Sequence, residues 1–212
     1  MATSLYVDDN YVLPGYVSTG NNSATGGALT QTVGPGSDQS LRRFLQALLA
    51  GVSGLAGNLV RQNWARNPAP VPSIEVDWIG FGIVNVRPDV NPYMVQVSEG
   101  AARMQRHETF DVICMCYGDN CQDLAGQVRD GLYLSQNQES LMLAGMGFVE
   151  CVGPVHVPEL VNDRYQDRAD LTITFAREIR REYAILAFTG ASVPVTDDAV
   201  VPHSKTIIVT GP

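Results

Sequence analysis

The sequence holds one lysine, Lys205, against thirteen arginines. It has no apolar run approaching the roughly 18 residues that a membrane-spanning helix needs. The opening MATSLYVDDNYV lacks the basic and apolar regions of a secretory signal, so the expected setting is soluble and cytoplasmic. There is no CxxC pair. Cys114, Cys116, Cys121 and Cys151, even with His107 nearby, match structural zinc spacing poorly and read as free thiols acting as small buried hydrophobes. The motifs GxSxG, HExxH, GxxxxGK[ST] and GxGxxG are also absent, and His107, His156 and His203 sit in no recognisable motif. A net charge of −8 argues against a grip on nucleic acid. No internal repeat is visible, and no cofactor or metal is implied.

What is present is enough for one domain with arms: 212 residues, 45% of them hydrophobic. The organising stretch is residues 37–64, SDQSLRRFLQALLAGVSGLAGNLVRQNW, where Leu41, Phe44, Leu45, Leu48, Leu49 and Val52 make one apolar helical stripe. Ser37 is the expected N-cap and Asp38 complements the helix dipole. Gly51, Gly54 and Gly57 place the end near Ala50 or Gly51. A proline-set connector (67–72) leads to strands at 74–86 and 93–97, with Gly80 and Gly82 on one face marking the close approach of another element. Residues 101–117 are the longest strand signal. Phe110, Val112, Cys114 and Cys116 line one face and Ile113, Met115 and Tyr117 the other, as in a central strand covered on both sides, while 104–108 project past the core. A second helix starts at Asp119 with Gln122 completing a capping box, and its stripe is Cys121, Leu124, Ala125, Val128 and Leu132. Gly126 and Gly131 suggest tight packing on the sheet. A short helix at 138–144, a strand at 148–152 ended by Gly153–Pro154, a loop, a strand at 169–179 and a final strand at 206–210 complete the order. This is an α+β fold: a single mixed, mainly antiparallel sheet packed by two main helices. The divisions are an extended N-terminal arm (1–36), the domain (37–190) and a C-terminal tail (191–212).

The N-terminal arm is rich in Gly, Ser, Thr and Asn yet carries Tyr6, Tyr11 and Tyr16 among aliphatics. An arm that docks on a neighbour fits both facts, and a solvated leader is the alternative. The tail after 190, with its β-prone TIIVT, is suited to adding an edge strand to another chain. Arginine suits fixed interface ion pairs better than lysine, though codon usage is the plainer explanation. On these grounds Arg42, Arg43, Arg61, Arg180 and Arg181 are candidate interface residues, with the three arm tyrosines and the cluster Asp163, Arg164, Asp167 and Arg168. That cluster could also be an active-site rim, but Asp/Arg alternation without a nucleophile more often makes ion pairs.

The opening helix, the strand WIGFGI (78–83), the strand HETFDVICMCYG (107–118) and the run LVNDRYQDRADLTITFAREIRREY (160–183) together resemble the tailed-bacteriophage neck terminator family, which belongs with tail-terminator and tail-completion proteins. The resemblance spans about residues 38–190. It implies a non-enzymatic structural protein of the virion neck, assembled in the host bacterial cytoplasm as a homo-oligomeric, sixfold ring. The tail tube protein lies below it, a head–tail connector or collar protein above, and the tail sheath is a further neighbour. DNA passes through without specific binding, and no membrane is involved. The acidic balance suits such a channel, because a basic wall would hold the phosphates. Two other functions remain open on the residues alone: a cytoplasmic assembly chaperone, and a hydrolase using the 163–170 cluster.

Overall fold

The computed structural model describes residues 29–35, 38–98, 100–161, 163–185, 190–196 and 204–210, the last two segments as backbone only. A short strand, β1 (Gln31–Val33), precedes helix α1 (Asp38–Ser53). Leu41, Leu45 and Leu49 are buried, and Phe44, Leu48 and Val52 pack against the same core, as the stripe predicts. Ser37 lies outside the described residues. The helix runs past its expected stop to Ser53, with Val52 packed against the core beyond Gly51. Gly54, at φ +71°, is the residue that leaves the helix through the left-handed region.

A 3-10 turn (Gly57–Leu59) feeds β2 (Val60–Gln62), a strand too short to give a sequence pattern. β3 (Trp78–Pro88) starts later than expected, since residues 74 and 75 turn, with Val76 N donating to Ser73 O at 3.0 Å. β4 (Tyr93–Ser98) and β5 (Ala101–Tyr117) follow. β3 and β4 pair with successive parts of β5, Pro88 opposite Glu108 and Tyr93 opposite Gln105, and so act as one long interrupted strand folded back on it. β9 (Arg168–Ala184) pairs with β5 without a break, from Tyr117 opposite Arg168 to Ala101 opposite Ala184. β6 (Met146–His156) flanks one part of β9 and β1 the other. Among the described strands of this sheet only β2 joins in parallel, on β3, so the sheet is mixed and mainly antiparallel.

This pairing divides the sheet lengthwise. Under the helices the order is β2-β3-β5-β9-β6. Beyond Phe110 and Phe175, where the core cluster ends on β5 and β9, the order becomes β4-β5-β9-β1. The polar residues 104–108 lie in that second part, as expected. Phe110, Val112, Cys114 and Cys116 are buried on the helix side, opposite Phe175, Ile173, Leu171 and Ala169. Ile113, Met115 and Tyr117 on the other face are only half-buried, so among the described residues the expected cover of both faces is found on one alone.

Helix α2 (Cys121–Leu132) buries its predicted stripe of Cys121, Leu124, Ala125, Val128 and Leu132. Its expected capping box does not form. Asn120 is the N-cap, and Asp77 reaches it from the approach to β3, accepting from Asn120 N at 3.1 Å and Nδ2 at 3.0 Å. Gly118 at φ +109° permits that approach, since a Cβ there would lie 2.8 Å from Asp77 Cα. Gly131 packs on α1 rather than on the sheet, 2.5 Å separating a Cβ position there from Val52 Cγ1, whereas Gly126 meets nothing within 4 Å. Helix α3 (Ser135–Leu143) starts earlier than expected. β6 passes through Gly153–Pro154 instead of ending there, with a register break between Val152 and Val155. It is an edge strand, where a proline costs no ladder bond. The loop expected at 156–168 contains a hairpin, β7 (Glu159–Val161) and β8 (Arg164–Gln166). β10 (Gly190–Thr196) and β11 (Ser204–Thr210) pair with each other, so within the chain the TIIVT strand has a partner of its own.

The cysteines are free, with Cys114, Cys116 and Cys121 buried. Burial pushes the Cys116 thiol up to about 12 and Cys151 to about 11, and Cys114 well above the ordinary thiol range. A thiol held above its unfolded value keeps its contribution to stability below about pH 8.5 and loses it only as pH climbs towards these values. Native protein at pH 8 is therefore expected to leave Cys114 and Cys116 unmodified by iodoacetamide. Cys116→Ala should cost about 1 kcal/mol in a urea melt, as a small core truncation. Rapid labelling of either native thiol would contradict this packing.

Candidate assembly interface

The helices leave one face of the sheet open. Register and alternation put Trp78, Gly80, Gly82 and Val84 of β3 on it, beside Tyr117, Met115, Ile113 and Asp111 of β5 and Arg168, Asp170, Thr172 and Thr174 of β9. One cross-strand row is a stack. The Arg61 guanidinium lies 5.9 Å from the Trp78 ring, and Trp78 stacks on Tyr117 at 4.2 Å and 6°. Tyr117 then stands opposite Arg168, which pairs with Glu159 at 2.8 Å and Asp170 at 2.9 Å.

A second cluster centres on Asp111, only 6% exposed in a strand otherwise apolar at this end. Arg87 donates to both its oxygens, at 2.7 and 2.8 Å, Thr174 Oγ1 at 3.0 Å and Asn85 Nδ2 at 3.2 Å. A bulge between Val84 and Arg87, with Asn85 at φ +50°, turns the arginine back onto the carboxylate. The hydrogen bond from Arg87, aided by those of Asn85 and Thr174, holds the Asp111 carboxyl down to about 2 against the opposing effect of burial. Further along, Arg103 meets Glu182 at 2.8 Å, while Glu178 accepts from Gln105 at 2.7 Å and Arg180 at 2.5 Å. Sequence reasoning missed the Asp111 cluster, although a single Asp inside the run FDVICMCY was a readable signal.

At the β2 edge the two predicted close-approach glycines find their partners. A Cβ at Gly80 would lie 2.7 Å from Asn63 Oδ1, and one at Gly82 2.3 Å from Trp64 Cζ3. Trp64 rests there with φ +56° and 71% of its surface exposed. Arg42, Gln62, Asn63, Trp64, Phe81, Gly82 and Ile83 line a groove between α1 and the edge of β3.

The predicted interface residues are not gathered in one place. Tyr6, Tyr11 and Tyr16 lie outside the described residues. Arg42 and Arg43 sit near the start of α1, Arg42 on the groove and Arg43 exposed. Arg61 donates to Asn58 O at 2.9 Å and to Pro70 O. Asp163 and Arg164 are exposed at the β7–β8 turn, and Asp167 meets His156 Nε2 at 3.0 Å. Arg168 and Arg180 are held by the carboxylates already named, and Arg181 donates to Gln31 Oε1. The 163–170 cluster is thus spread over a hairpin tip, an edge pair and the sheet face, and does not converge on one pocket. Among the described residues no three His, Cys, Asp or Glu side chains gather as a metal site, and no helix is long and apolar enough to cross a membrane.

No curated protein matches this chain. A family model described as "Phage neck terminator protein" matches residues 39–199, from the first turn of α1 to beyond β10 and past the boundary expected at 190. A match over most of the sequence, covering both helices of the core and all but one short strand of the main sheet, places this chain in the phage neck terminator protein family.

Proposed function

We propose that this neck protein forms a closed, sixfold ring that ends the tail tube and joins it to the head connector, with the helix-free face of its sheet turned to the lumen through which DNA passes. The observation that carries this reading is the charge state of that face. Arg87, Arg103, Arg168 and Arg180 each lie against a carboxylate of the same chain. A wall neutralised in this way can stand near DNA without adding counterion-release binding, whereas unpaired arginines would hold the phosphates. The part of the sheet beyond the core supports contact with the neighbouring ring. Val90 is 90% exposed and Tyr93 and Met94 are largely so, a set of apolar side chains suited to a partner such as the tube protein. Arg43 and Arg164, exposed at separate points, are candidates for contacts between copies or with the connector or sheath.

The test is native mass spectrometry with a rotationally averaged image of the oligomer, alone and with the tail tube protein. A closed sixfold ring is the expected result, and monomer under both conditions would remove the reading. Mass spectrometry of purified virions distinguishes a neck component, present in the finished particle, from an assembly chaperone, which is absent.

A further inference from the structure

We propose that the groove between α1 and the β3 edge receives residues 5–13 of a second copy of the chain, LYVDDNYVL, as an added edge strand. This rests on the ring reading and names the contact that would tie neighbours together.

Four features of the groove call for an extended, acidic, aromatic segment. β2 covers the outer edge of β3 only from Ile79 to Phe81, where Asn63 N also bonds Phe81 O at 2.7 Å; past Phe81 that edge has no strand partner among the described residues. An open edge beside a groove is the geometry that peptide strands add to. Trp64 is held out on Gly82 in a left-handed backbone conformation that bulky residues rarely adopt, leaving a mostly exposed indole with no ring against it among the described residues. Asn63 Nδ2 is buried and has no hydrogen-bond partner among the described residues. Arg42, on the groove, and Arg66, two residues beyond Trp64, have no partner among the described residues, whereas Arg87, Arg103, Arg106, Arg129, Arg168, Arg177 and Arg180 all have carboxylates.

Residues 1–28 supply the complement. They contain Asp8 and Asp9 and neither lysine nor arginine, and these acids are flanked by Leu5, Tyr6 and Val7 on one side and Tyr11, Val12 and Leu13 on the other. Carboxylates would meet Arg42 and Arg66, a tyrosine ring would lie against Trp64, and a backbone carbonyl would accept from Asn63. The place where the described chain begins favours a second copy. β1 lies at one edge of the sheet, with Gln31 opposite Tyr183, and the groove lies at the other edge, level with Ile113. That is about 36 Å along the strands and about 19 Å across them. The direct line between the two is about 41 Å and residues 14–30 span at most roughly 60 Å, so a return to the chain's own groove would use most of the arm and cross a sheet face. Copies set side by side in a ring bring the β1 edge of one to the groove edge of the next, which removes the crossing of the face and leaves about 36 Å along the strands.

The test uses full-length chain and reads amide hydrogen exchange of residues 5–13 beside the native mass. In the wild-type oligomer these amides should exchange at least about tenfold slower than in a free peptide of the same sequence. Asp8→Arg with Asp9→Arg, Arg42→Asp with Arg66→Asp, and Trp64→Ala should each abolish the protection without lowering the melting temperature. A chain carrying all four charge reversals should regain it. Co-expression of the arm-reversed and groove-reversed chains should also regain it in part, because each arm then finds a complementary groove only on the other chain. Protection in the fourfold variant but not in the mixture would mean docking within one chain and overturns the second-copy assignment. An unprotected fourfold variant, or an unprotected wild-type arm inside an assembled ring, overturns the groove assignment and leaves the ring standing. Wild-type monomer, with and without tube protein, overturns both.

Discussion

Leu45→Asp is expected to leave no cooperatively folding protein. Leu45 is 0% exposed at the middle of α1, between Leu41 and Leu49, in the cluster that also holds Ile79, Phe81 and Val60. Deleting a buried leucine to a small residue costs about 2–5 kcal/mol from transfer and cavity terms alone. An unpaired carboxylate in the same place adds several kcal/mol, whether it stays charged or takes up a proton to escape the charge. The total rivals the roughly 5–15 kcal/mol that holds an ordinary domain together. Ala47→Asp, on the exposed side of the same helix, is the control and should shift stability by less than about 0.5 kcal/mol. Thermal melts by circular dichroism with size-exclusion profiles compare the two. A soluble Leu45→Asp protein with a cooperative melt would mean that this stripe does not face the core.

The α1 stripe and β5 were legible because their periodicity is unbroken, whereas β9 continues past the expected end at 179 to Ala184 through charged residues that pair with β5. β5 pairs with β9 residue for residue along its length, so alternation alone gave its limits and its buried face. Elements set by distant contacts were not legible. Asp119 and Gln122 have the spacing of a capping box, but Asp77, brought in from the start of β3, takes the N-terminus of α2. β2 exists because β3 offers it an edge, since three residues carry no period of their own. The β7–β8 hairpin had a readable signal, Asn162–Asp163 between two β-prone pairs, and Asp163 takes the positive φ (+61°) that such a turn favours. Gly80 and Gly82 announced a close approach but not its source, which is the loop carrying Asn63 and Trp64.

Most arginines of the described residues already have a carboxylate within the chain. Arginine's fixed geometry suits ion pairs between subunits and within one chain alike, and the paired arginines of the described residues mostly join strands of the chain's own sheet. Arg177 illustrates this. It reaches Glu108 at 2.5 Å across β5 and β9 and lies 5.4 Å from the Phe110 ring, closing the end of the core rather than reaching outward. Arg42, Arg43 and Arg164, expected as interface residues, are without a carboxylate partner among the described residues, and the proposed assembly contacts draw on them.

Removing Arg87 should be the costliest change on the open face. Arg87→Met leaves the Asp111 carboxylate buried with only Thr174 and Asn85 to bond it, so it should lower the urea midpoint further than the loss of any other cation on this face. Asp111→Asn keeps the shape and frees a half-exposed arginine to water, so its loss at neutral pH should be smaller, about 1–2 kcal/mol. The double variant should cost less than the sum, because the second change removes the charge that the first left stranded. The pH dependence follows from the direction of the shift. Asp111 titrates near 2 in the folded chain, below its unfolded value of about 3.9. Its contribution is therefore complete above about pH 5 and is lost as pH falls through 4 towards 2. Urea melts of wild type and Asp111→Asn at pH 7 and pH 3 isolate this effect, since the other carboxylates, Glu178 among them, are common to both proteins. The gap between the two should narrow at pH 3. A gap that stays constant would place the cost in packing rather than in the ion pair, and Arg87 would then no longer count among the neutralised cations on which the lumen assignment of this face depends.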